Sequence, residues 1–164
     1  MKKYVLLVLV VVVAVIAVCL GIEAVCRDKP RQEAVLKPVE LHSFEQVTLH
    51  VIGMRFDQTY EILNQEDGVT VSLYDNVYEN GEDVQKLDKT VTCDQDAILE
   101  LLQACHVGEW NGFFGEHPKN VSDGVMFDFT AVVNDGQTIC AEGSENFPEG
   151  YHDFVQALNQ MLSE

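Results

Sequence analysis

Positive charge is what this sequence has least of. Beyond residue 31 the only basic side chains are Lys37, Arg55, Lys86, Lys89 and Lys119, against 25 acids, a net charge of −20. The whole chain of 164 residues carries −17. Such a surface repels a polyphosphate, which excludes nucleic acid as a partner. Five cysteines are present, but no CxxC pair and no Cys/His ligand spacing, so a zinc site is not expected. There is no HExxH, and Gly143-Ser144-Glu145 lacks the second glycine of a GxSxG elbow. The acids at Glu82-Asp83, Asp94-Gln95-Asp96, Asp123 and Asp135 miss the offsets of a calcium loop. No metal, cofactor or catalytic residue is therefore expected, and the carboxylates read as a solvated, self-repelling surface.

What is present begins at the N-terminus. Residues 4–22 hold 18 apolar residues out of 19, behind Met1-Lys2-Lys3. Nineteen residues of helix span about 28 Å, close to a bilayer's hydrocarbon thickness. Only a helix satisfies its own backbone in lipid, so this valine-rich run is expected to be a transmembrane helix that partners the bilayer. Its length exceeds the usual cleaved signal peptide, favouring an uncleaved anchor, with cleavage after Ala24 as the alternative. Cys19 lies where a lipoprotein cysteine would, but Val18 stands in place of the small residue that should precede it, and Cys26 fits worse.

Orientation is nearly balanced on charge. Lys2 and Lys3 flank one side, and Arg27, Lys29 and Arg31 the other. A short N-terminus with a leading Lys pair normally stays inside, which places the following acidic domain outside the cytoplasm.

Residues 23–42 mix charges with Pro30 and Pro38 and read as a stalk. From residue 43 to 164 one domain is expected; without the first 22 residues the apolar share is about 41%, that of a globular fold. Val47–Arg55 alternates as a strand, and Thr59–Gln65 and Val69–Tyr74 flank the turn signal Glu66-Asp67-Gly68. The polar stretch Asn76–Asp88 reads as an exposed loop with Asn80-Gly81 at its tip. A helix is expected after Thr92 and Gln95, a candidate capping box, ending at Gly108 and burying Ile98, Leu101, Leu102 and Cys105. Val125–Val133 and Gln137–Ala141, joined by Asn134-Asp135-Gly136, give the clearest hairpin signal. A last helix from Pro148 to Leu162 completes the order βββ-α-ββ-α. The fold class is therefore α+β: an antiparallel sheet of about five strands with two helices on one face.

Chemistry is sparse in this chain. Cys93 and Cys105 fall at opposite ends of the expected helix, about 18 Å apart, too far to bond. The thiols, Cys140 included, read as small buried side chains. Cys105-His106 fails as a nucleophile–base pair, because neighbouring helix residues point about 100° apart. Ser144 reads as a turn residue. The most informative stretch is Trp110-Asn111-Gly112-Phe113-Phe114-Gly115. Trp110, Phe113 and Phe114 could form an apolar platform for a peptide, glycan or protein partner. Against this, Trp110 and one Phe could instead plug the core.

The spacing of Trp110-Asn111-Gly112-Phe113, Asp123-Gly124-Val125-x-Phe127, Asp135-Gly136 and Ala141-Glu142-Gly143-Ser144-Glu145-Asn146-Phe147-Pro148-Glu149-Gly150-Tyr151 resembles uncharacterised bacterial proteins. Those proteins carry a lipoprotein signal or membrane anchor before one small extracytoplasmic α+β domain. The resemblance spans residues 90–162, rests on turn glycines, aromatics and Phe-Pro, and implies placement outside the cytoplasm but no activity.

The function expected is thus a non-enzymatic interaction module displayed outside the membrane, using the Trp110–Gly115 loop and a neighbouring sheet edge. A membrane-tethered cytoplasmic regulator is the alternative. A hydrolase-type enzyme would need His117, His152, Asp123 and Glu142 gathered in one cleft.

Overall fold

A computed structural model describes residues 37–163 except residue 67. The expected anchor at residues 1–22 and most of the stalk lie outside the described residues. Among those described, no helix is long and apolar enough to cross a membrane.

Seven strands form one sheet: β1 Phe44–Gly53, β2 Phe56–Gln65, β3 Gly68–Glu79, β4 Glu82–Cys93, β5 Phe114–Gly115, β6 Met126–Val133 and β7 Gln137–Ser144. Their spatial order is β4-β3-β2-β1-β6-β7-β5. Helix α1, Gln95–Ala104, leads through a 3₁₀ turn at Val107–Trp110 toward β5, and α2, Tyr151–Met161, follows β7. All strand pairs are antiparallel except β5 with β7, so the sheet is mixed.

The α+β class and the paired helices agree with the sequence expectation, but the strand count of about five is too low. The stretch 76–88, expected as a loop, instead forms the outer halves of β3 and β4. Asn80 and Gly81, at φ 53° and 90°, make the tight turn between them. β4 is an edge strand exposed along nearly its whole length, so its side chains show no core-facing alternation to read. One extra residue, Asp88, also blunts this edge, in a register shift opposite Leu73/Tyr74. β5 has two residues, too few for any periodicity.

One sheet face is apolar. Val47↔Ile62, Ile62↔Val71, Leu49↔Phe129 and Ala131↔Ile139 are cross-strand partners whose side chains are all buried. Helix α1 adds Ile98 and Leu102, and α2 adds Phe154 and Leu158, all to a single core. Leu101 is only partly buried, so the stripe on α1 is narrower than expected. Asp94, not Thr92, caps α1, its carboxylate accepting from the Asp96 amide at 2.8 Å; Thr92 belongs to β4.

The end of the expected stalk is fastened to the domain. Val39 N–H donates to the Gly108 carbonyl at 2.9 Å, Gln103 donates to the Leu41 carbonyl at 2.8 Å, and Leu41 is buried.

The opposite sheet face is polar. His50 Nε2 meets Asp57 Oδ1 at 2.7 Å, and Asn76 donates to the same oxygen at 2.6 Å and to the Thr59 hydroxyl at 3.0 Å. Partial burial works to raise the Asp57 carboxyl, but the bonds from Asn76 and His50 outweigh it and hold the group below the ordinary range. Next to this network, burial raises the Glu61 carboxyl, offset in part by the Tyr74 hydroxyl, which donates to it at 3.4 Å. A raised carboxyl binds its proton more tightly in the folded chain, so ionising Glu61 above its unfolded pKa destabilises the fold. Glu61→Gln is therefore expected to raise Tm at neutral pH and to lose that advantage as the pH falls through the carboxylate range. Thermal melts of both proteins across that range check it.

Candidate functional site

Trp110 is 1% exposed. It packs edge-on to Phe129 at 4.9 Å and to Phe154 at 5.7 Å, and its indole N–H donates to the Glu149 carbonyl at 2.8 Å. The proposed platform therefore cannot use Trp110, which closes the core between the sheet and α2. Phe113 is half-buried against Phe127. Phe114 is 48% exposed and lies on β5 opposite Glu142 of β7, on the polar face of the sheet. Two consecutive phenylalanines thus divide between core and surface, Phe113 just before β5 and Phe114 within it.

Other exposed apolar side chains lie toward the same end of the sheet as Phe114. Met126 is 47% exposed and pairs directly with Ser144 on β7 and Ile52 on β1. Past Ile52, Gly53 pairs with Phe56 at the β1–β2 turn, and the Phe56 ring lies over Gly53 on the helix-bearing face, opposite to the face of Met126 and Phe114. Val121, in the loop after β5, is exposed as well. Strand direction and register carry the β3–β4 hairpin to this end as well, so Tyr78 and Val84 join Met54, Phe56, Phe114, Val121 and Met126 among the exposed large apolar side chains there. Arg55 and Lys119, two of the few cations beyond residue 31, lie in the same turn and loop.

Within this end lies a pair that the sequence did not bring together. His117 Nδ1 is 2.8 Å from the Ser144 hydroxyl, and His117 Nε2 is 2.8 Å from the Val121 carbonyl. A carbonyl only accepts, so Nε2 carries the proton, and in the neutral ring Nδ1 accepts from the Ser144 hydroxyl. Local structure builds this geometry. The Val121 amide donates back to the Pro118 carbonyl, turning the loop so that the Val121 carbonyl faces His117. Gly115 and Gly143, register partners on β5 and β7, both lie against the Asn146 carbonyl, where a Cβ would overlap it. Glu145, at φ 52°, gives its amide to the Val125 carbonyl at 2.9 Å and takes the Val125 amide on its carboxylate at 2.5 Å. The residue directly after Ser144 is thus a non-glycine held in the left-handed region by two bonds.

The other residues weighed for catalysis do not join this pair through hydrogen bonds or ion pairs among the described residues. His152, on α2, meets the Phe147 ring at 4.9 Å and faces a shallow hollow with Val155, Gln156 and Asn159. Asp123 and Glu142 are exposed. His106 faces Glu109 at 3.6 Å, and burial, reinforced by Asp153, raises the Cys105 thiol, so that pair has no nucleophile. No cluster of three metal-ligating side chains occurs among the described residues.

Cys140, expected as a free thiol, is disulfide-bonded, whereas Cys105 is a free thiol. Its half-buried place on β7, away from the core, removes the premise that all these cysteines act as apolar filler.

No protein-family model matches the chain, and no curated protein matches it.

Proposed function

We propose that this is an interaction module, displayed outside the membrane, whose recognition surface is the end of the polar sheet face where Phe114 and Met126 stand exposed on either side of β7. The observation that carries the reading is the exposure of Phe114 and Met126 on the otherwise polar face of the sheet, in a domain rich in carboxylates. Large apolar side chains exposed on a polar face favour contact with a partner over contact with water. Arg55 and Lys119 place two of the few cations of the domain at the same end, suited to an apolar peptide or protein segment with a carboxylate nearby. The disulfide at Cys140 supports the outward orientation, because disulfides persist in oxidising compartments and are rare in the cytoplasm.

A photo-crosslinking side chain placed at Met126 on intact cells is expected to trap a discrete partner, whereas the same group at Glu100, on the exposed side of α1, is not. Equal trapping at both positions would remove the surface from consideration. Protease added to intact cells is expected to destroy a C-terminal tag without lysis. Protection of the tag until lysis would support the tethered cytoplasmic regulator instead.

A further inference from the structure

We infer that Ser144 and His117 are a nucleophile and its general base, and that the apolar sheet end delivers to them an ester with an apolar acyl chain. The substrate class rests on reading that sheet end as a recognition surface; the reactive pair rests on its own geometry. Three observations converge on the pair. The Ser144 hydroxyl is within hydrogen-bond reach of His117 Nδ1, the nitrogen left without a proton by the Val121 carbonyl. That carbonyl fixes the tautomer and ring orientation, the task a third group performs in any nucleophile–base–orienter chain. Directly after Ser144, Glu145 holds a left-handed backbone, the kind of local strain that concentrates at functional sites.

The surroundings select the substrate. Met126 is the cross-strand partner of Ser144, and Phe114 sits one strand further out, opposite Glu142. An acyl chain lying over Met126 on one side of β7, or over Phe114 on the other, brings its terminal carbonyl carbon over the Ser144 hydroxyl. The hydroxyl oxygen then bonds to that carbon while its proton passes to His117 Nδ1. The bond from the carbonyl carbon to the leaving oxygen breaks, and the departing alkoxide takes the proton from Nδ1. Solvent water next attacks the acyl-serine, giving a proton to Nδ1. That proton returns to the Ser144 oxygen as the carboxylic acid leaves, restoring both side chains.

The test uses the full chain in detergent micelles and two phosphonofluoridates, one with a methyl and one with an octyl substituent. The octyl probe is expected to add its mass to the tryptic peptide containing Ser144, with loss of fluoride, and to react about tenfold faster than the methyl probe. Ser144→Ala should abolish the adduct, and His117→Gln should slow it by about a hundredfold or more at unchanged circular dichroism. An unlabelled wild-type chain, or an adduct that survives Ser144→Ala, overturns the reactive pair. Labelling of Ser144 with no preference for the octyl chain overturns the substrate class and counts against the recognition surface, while leaving the pair standing. A preference that falls in Met126→Ser and Phe114→Ser supports both.

Discussion

Replacing Trp110 with Ala is expected to cost about 3–5 kcal/mol and to lower Tm by about 10–25 °C in a domain of this size. The indole fills the space between Phe129 on β6 and Phe154 on α2, with Tyr151 also beside it at 6.1 Å. Both neighbours belong to rigid elements, so the vacated volume cannot close by a loop movement, and the cavity adds to the lost transfer energy. Trp110→Phe separates the polar contribution from the packing. It keeps most of the volume but leaves the Glu149 carbonyl without its indole donor, a loss of about 1–3 kcal/mol. Phe114→Ala, removing a half-exposed ring, should leave Tm within a few degrees of the parent. Calorimetry or circular dichroism melts of the three variants decide the matter. A small shift for Trp110→Ala would mean the indole is not the core element its contacts indicate.

Gly150→Ala is expected to be the most damaging single methyl that can be added among the turns. Gly150 caps α2 at φ 79°, and a Cβ there would run into the backbone carbonyl, carbon and Cα of Cys105. The left-handed conformation alone costs an L-residue about 1–2 kcal/mol. The overlap is with main chain and cannot be relieved by a rotamer change, so the end of α1 or the start of α2 must shift. The sum is about 3 kcal/mol or more, or a fall in Tm of about 10 °C or more. Gly136→Ala supplies the control: φ is 98°, but nothing lies within 4 Å of the added methyl. Its cost should stay near the conformational penalty of about 1 kcal/mol. Equal losses for the two variants would show that backbone conformation, and not the approach of α2 to Cys105, sets the requirement for glycine at residue 150.

The two substitutions meet at one place in the fold. Trp110 reaches the Glu149 carbonyl, and Gly150 rests on Cys105, so the segment entering α2 is held from two sides by the chain that leaves α1. The same chain continues into β5 and His117, and the segment entering α2 begins just beyond Ser144. Rigid packing at this junction is what keeps the serine and the histidine, 27 residues apart, within hydrogen-bond reach.

Legibility of the fold followed burial. Strands β1, β2 and β6 and the hairpin at Asn134-Asp135-Gly136 show in the sequence because one face of each is buried and the other is not, which imposes alternation. Helices α1 and α2 show because their buried positions recur at helical spacing: Ile98 and Leu102, then Phe154 and Leu158. β4 carries no such mark. Its edge position leaves both faces to solvent, and only its hydrogen bonds to β3 make it a strand.

The candidate site was hidden for a different reason. The sequence by itself determines the acidic charge and the α+β class, since these depend on composition and on periodicity within single elements. It also marks the 110–115 segment as unusual, but which aromatic is core and which is surface depends on what lies across from each. Tertiary structure alone decides that Trp110 faces α2 while Phe114 faces solvent. It alone sets Met126 beside Ser144 and turns His117 toward it. Those contacts come from strand register and from close backbone approach at Gly115 and Gly143, quantities that no local pattern of side chains encodes.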